Sequence, residues 1–122
     1  MEDIKPSKTT QELIDHIFNS LNCSEDLTKK IIKHFLEDIA LFDKKQKDYG
    51  PANISKFGIF GVIVRVSDKI ERLINLHQKS VQFHSGHSGS VQNESIEDSW
   101  TDLSVYGAIA RVVNNDEWNK ER

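Results

Sequence analysis

A chain of 122 residues with 16 basic and 19 acidic side chains carries a formal charge of −3. That length suits one domain burying about two-thirds of the surface its unfolded chain exposes, and is short for two. The charge balance leaves no electrostatic footprint for duplex nucleic acid or an anionic membrane, so small ligands are the expected partners.

The opening MEDIKPSKTT lacks the basic and apolar regions of a signal peptide. The only cysteine, Cys23, has no intrachain partner, which fits a reducing compartment and a small buried or helix-boundary residue. The longest apolar run, Ile59–Val64, is interrupted at Gly61 and falls far short of the roughly 20 residues that span a bilayer. The expectation is a cytoplasmic protein with no membrane partner.

Thr9 and Glu12 have capping-box spacing, and Leu13, Ile14, Ile17, Phe18 and Leu21 then form one helical stripe, predicting a first helix over about 10–21. Ser24 is a good N-cap, with Glu25 and Asp26 placed to meet the positive end of a second helix. That helix continues through Ile31, Ile32, Phe35, Ile39 and Phe42 to about Lys47, where Gly50 and Pro51 stop it. A third helix, about 56–79, starts with residues apolar nearly all round, a pattern of a central helix or an oligomer interface. The β-branched "VIVRV" has strand character, but the stripe Ile59, Val62, Ile63, Val66, Ile70 and Leu73 passes straight through it. Residues 80–93 lose the period and collect serine, glycine and histidine, as a flexible loop does. A fourth helix runs from about Asn93 or Glu94 to about Val113, and a polar tail over 114–122 carries Trp118 as a docking anchor. The fold predicted is a single all-α domain, a bundle of about four main helices that is homo-oligomeric.

Wound at about 100° per residue, the fourth helix puts Glu94, Asp98 and Asp102 on the arc that Val105, Ile109 and Val112 continue. Inward carboxylates need a cation or a dense set of donors. Two readings stay open: oxygen ligands for Mg²⁺, or helix-dipole support by Glu94 with Asp98 and Asp102 paired to arginines of a neighbour. On the third helix Arg65, Asp68 and Arg72 share a side flanked by Lys69, either as a solvated face or as a ligand-facing set. Asp38 lies at the margin of the second helix's apolar arc, where a solvated boundary residue is the simpler account. His77, His84 and His87 are close in sequence but lack the further ligands of a closed zinc site.

The string "KDYGPANISKFGIFGVIVRVSDKIERLINL", followed further on by "NESIEDSWTDLSVYGAIA", combines a D-Y-G turn, an F-G step, an R-x-x-D-K-x-x-R-L helix and an E-S-x-x-D-x-x-x-D-L-x-x-Y helix. This resembles the phage and prophage family called the nucleotide-modification-associated domain, over residues 47–110. That family is similar in turn to the all-α MazG-type nucleoside-triphosphate pyrophosphohydrolases. The resemblance implies a cytoplasmic nucleotide-binding protein of phage-infected or prophage-bearing cells, with Mg²⁺-dependent release of pyrophosphate as its activity.

Carried onto this chain, the resemblance makes Asp48, Tyr49, Gly50 and Asn53 a lip for the base or sugar, with Tyr49 or Phe57 able to stack on it. Arg65, Lys69 and Arg72 meet phosphates, and Asp68, Glu94, Asp98 and Asp102 are the candidate metal ligands, with Asp68, Asp98 and Asp102 as catalytic acids. Asp102 and Tyr106 match the final acid and following tyrosine of the MazG-type E-x-x-D helix. Ser99 stands where the glutamate of that motif belongs, and no E-E-x-x-E occurs in the chain. The alternative is therefore a non-catalytic sponge that captures a signalling nucleotide of host immunity and so acts in anti-defence.

Overall fold

The computed structural model describes residues 9–82 and 89–118, with side chains described for 9–79 and 96–118. The regular structure among them is all α-helical: α1 Thr10–Ser20, α2 Asp26–Tyr49, α3 Ala52–Ser55, α4 Gly58–Gln82 and α5 Gly89–Asn114. The all-α class and the four long helices agree with the sequence, and the single-turn α3 is an addition. The chain divides into two units, Met1–Leu41 and Phe42–Arg122, with α2 contributing to both. No described helix is long and apolar enough to cross a membrane.

In the first unit, α1 opens with the expected capping box: Thr9 Oγ1 accepts from the Glu12 amide at 3.2 Å, and Glu12 Oε1 accepts from the Thr9 amide at 2.8 Å. It closes by a Schellman pattern in which Cys23 N donates to Phe18 O at 3.0 Å and Asn22 N to Asn19 O at 3.1 Å. That pattern puts Asn22 at φ 57°, a left-handed conformation asparagine tolerates better than most residues. Lys29 of α2 reaches Asp15 at 3.4 Å and stands 4.9 Å from the centre of the Phe18 ring. Ile14 and Ile32 are buried, while Leu27, Ile31, Phe35 and Ile39 form an exposed ridge at i, i+4 spacing.

In the second unit, α2 ends where Gly50 takes φ 73° and donates its amide to Gln46 O at 2.8 Å. Gln46 Nε2 returns a bond to Gly50 O at 2.7 Å, so one side chain ties the turn back to the helix. Pro51 then leads into α3, and Gly58, at φ 62°, starts α4. Helices α4 and α5 pack together. Val62 and Ile109 share a buried cluster with Ile54, Lys69 meets Asp102 further along, and Leu73 shares a groove with Ile96, so the two helices run antiparallel. After α5 a second Schellman pattern, with Asp116 at φ 59°, turns the chain. Trp118 Nε1 then donates to Pro51 O at 2.9 Å while the indole meets Phe42 edge-on, ring centres 6.3 Å apart. The expected anchor docks, and it docks on the turn.

Three expectations shift. The loop placed at 80–93 is narrowed from both sides, because α4 continues to Gln82 and α5 begins at Gly89; the remainder of it lies outside the described residues. The second helix starts at Asp26 and runs on to Tyr49, right up to the glycine that stops it. On α5 the inward line is Ser99, Asp102, Tyr106, Ile109 and Val113, whereas Asp98 is exposed. The winding argument placed Asp102 correctly and Asp98 incorrectly, because the seam with α4 follows a line one position round from the apolar arc.

Candidate functional site

The turn after α2, the charged side of α4 and Asp102 of α5 all belong to the second unit. Lys69 Nζ lies 2.8 Å from Asp102 Oδ2 and Lys45 Nζ 3.8 Å from Oδ1, so each oxygen faces an ammonium group. The Asp102 side chain retains 24% of its exposure and that of Lys69 28%, which screens this pair less than a surface one. One turn away on α4, Arg65 Nη2 donates to Asn53 O at 3.3 Å and joins the helix to the lip. Two ammonium groups thus stand against one carboxylate, with Arg65 one turn from Lys69 along α4.

The lip is shaped locally. Gly50 supplies the left-handed turn, and Tyr49 and Phe57 flank it with rings about two-thirds exposed, at 64% and 65%. Gly61 keeps Phe57 in place by its smallness, since a Cβ there would stand 2.6 Å from Phe57 Cβ. Lys56 Nζ lies 5.7 Å from the centre of the Phe57 ring. Asn53 Oδ1 is buried and accepts no hydrogen bond, a state that costs about 1–3 kcal/mol until a donor reaches it.

The structure pairs Arg65 with the Asn53 carbonyl and Lys69 with Asp102, and packs Tyr106 against the Ile54–Val62–Ile109 cluster. Asp48, Asp68, Arg72 and Asp98 are exposed on their elements. The Glu94 side chain, His84 and His87 lie outside the described residues. Among the described residues no three His, Cys, Asp or Glu side chains converge as a metal-ligand group. A Mg²⁺ ion at Asp102 would compete with the ammonium groups of Lys69 and Lys45. Ser99 is 1% exposed, in the helix seam.

Sequence reasoning missed Lys45, Gln46 and the bond from Trp118 to Pro51. Lys45 was findable in part: it follows Phe42 by three positions, hence shares its side of α2, and Phe42 packs on the core. Nothing local marks Gln46 or the acceptor of Trp118, whose bond spans 67 positions.

Comparison with known proteins returns no matching family model, no matching curated protein and no matching solved structure.

Proposed function

We propose that this chain binds a nucleotide, with its phosphates at Lys45, Lys69 and Arg65 and its base or sugar on the lip formed by Tyr49, Gly50, Asn53 and Phe57. The observation that carries the proposal is the convergence of Lys45 and Lys69 on the half-buried Asp102 beside Arg65. A single carboxylate holds the ammonium groups in place without neutralising the cluster. Lysines act on phosphate as point charges, and arginine adds a directed fork. The exposed rings of Tyr49 and Phe57 offer a stacking surface. Arg72, exposed on the same side of α4, extends the positive strip towards a longer phosphate chain.

Within this proposal, capture without cleavage is favoured over Mg²⁺-dependent pyrophosphohydrolysis. Asp102 is occupied by Lys69, and the seam holds Ser99 where the MazG-type motif has a glutamate. Hydrolysis in that manner requires Asp102 to exchange Lys69 for the ion and Asp68, Glu94 or Asp98 to join it. A MazG-like, homo-oligomeric assembly in the cytoplasm of a phage-infected or prophage-bearing cell, where capture of a signalling nucleotide serves anti-defence, belongs to the same proposal.

Isothermal titration with linear and cyclic nucleotides, with EDTA and then with Mg²⁺, followed by mass spectrometry of the ligand, tests it. Metal-independent binding with the ligand recovered intact is expected. Pyrophosphate release with Mg²⁺ transfers the conclusion to hydrolysis, and absence of binding to every nucleotide removes it.

A further inference from the structure

The bend between α2 and α3 is held by its carbonyl oxygens. Gly50 sits at φ 73° with open space where a side chain would stand, so close packing does not fix its backbone. Side chains from three parts of the chain fix it instead. Gln46 Nε2 of α2 donates to Gly50 O at 2.7 Å, Arg65 Nη2 of α4 to Asn53 O at 3.3 Å, and Trp118 Nε1 of the tail to Pro51 O at 2.9 Å. Gln46 lies four positions from its acceptor and Arg65 twelve, whereas Trp118 reaches across 67.

The Pro51 carbonyl is also the first acceptor of α3, because Ile54 N and Ser55 N both donate to it at 3.1 Å. Trp118 therefore grips the start of α3, while its indole meets Phe42 of α2 edge-on with ring centres 6.3 Å apart. Phe42 precedes the bend and Pro51 follows it, so one indole spans the corner and sets the angle between α2 and α3. Both aromatic residues pack against the Ile54–Val62–Ile109 cluster. The turn after α5 aims the tail there: Asp116 N donates to Val113 O at 3.0 Å and Glu117 N to Val112 O at 2.9 Å.

Tyr49 and Asn53 of the lip stand on either side of Gly50 and Pro51, the two residues this contact holds. We propose that Trp118 is a positioning residue of the nucleotide site, touching no ligand and preorganising the lip through Pro51, an inference that rests on the nucleotide reading. Without the indole the bend at Gly50 and Pro51 gains backbone freedom, which ligand binding then has to remove. Linkage makes the effect reciprocal: whatever tail docking contributes to nucleotide affinity, nucleotide returns to tail docking. One neutral hydrogen bond and one ring edge hold the contact, so it opens and re-forms without global unfolding.

The chain has two tryptophans, and Trp100→Phe, beside the groove of Ile70 and Ile74, leaves Trp118 as the sole indole reporter. Acrylamide quenching and emission of that variant are read in EDTA with and without ATP, GTP, CTP, UTP or cyclic AMP, beside isothermal titration of the same nucleotides. Saturating nucleotide is expected to lower the Trp118 quenching constant about twofold and shift its emission to the blue, as coupled docking requires. Trp118→Ala is expected to weaken affinity about tenfold and Trp118→Phe, which keeps the ring, about threefold, with helicity by circular dichroism retained. If Trp118→Ala loses helicity, the quenching shift and Trp118→Phe decide. Nucleotide binding that leaves Trp118 quenching and emission unchanged, or that is equally tight in the Trp118 variants, overturns the proposal and leaves the nucleotide reading standing. A wild type that binds none of these nucleotides takes both down.

Discussion

The two free sides of α4 are built from one helix yet behave as opposite kinds of surface. One side holds Arg65 and Lys69, both partly buried and both tied to other elements: Arg65 to the lip and Lys69 to Asp102. The other holds Phe60, Ile63, Ile70 and Ile74, all exposed, the last two beside the groove shared with α5. The charged side is finished by the chain's own turn and by α2, whereas the apolar side stays exposed. Charge near a core has to be partnered as folding occurs, because stranded charge is expensive. Apolar surface can wait for association.

The comparison breaks most completely through the seam both sides share. Ile109→Ala or Ile54→Ala removes a buried side chain of the Ile54–Val62–Ile109 cluster. A loss of about 2–5 kcal/mol in urea unfolding is expected, and ligand binding and assembly should fall together. Next in size, Lys69→Met is expected to weaken nucleotide binding by about 1.5–3 kcal/mol in isothermal titration, the range for a hydrogen bond to a charged group, while sedimentation is unchanged. If binding and assembly both respond, the two sides are not independent.

Asp102→Asn sharpens the chemistry of the charged side. With the carboxylate neutralised, Lys45 and Lys69 keep their charges and lose their partner, so metal-independent affinity for a triphosphate is expected to rise severalfold. A loss of binding contradicts the assignment of those lysines to phosphate, and a loss of pyrophosphate release with binding intact points instead to a hydrolytic aspartate. Gly61→Ala pushes a Cβ onto Phe57 and so moves a ring of the lip. A fall in nucleotide affinity with little change in dimerisation is expected, read by the same titration. The smallest effect belongs to Trp118→Phe, which keeps an aromatic ring against Phe42 and removes the bond to Pro51 O. A stability loss of about 0.5–1.5 kcal/mol in urea unfolding is expected.

Residue patterns alone determined the all-α class, the capping box of α1, the stop at Gly50 and Pro51, and the docking tryptophan. Each follows from signals within a few residues: periodicity, a cap, a helix breaker. Tertiary structure decided which of several equivalent side chains turned inward. Among Lys44, Lys45 and Lys47 only the angle of α2 chose Lys45, and among the acids of α5 the line of the α4 seam took Asp102 and left Asp98 outside. It also decided that Trp118 would find the carbonyl of Pro51, and that a valine- and isoleucine-rich helix would bury one face and expose another. A helix repeats about every 3.6 residues, so a rotation of one position exchanges a ligand for a surface residue. That rotation is settled by the packing of neighbours distant in sequence, which no local pattern encodes.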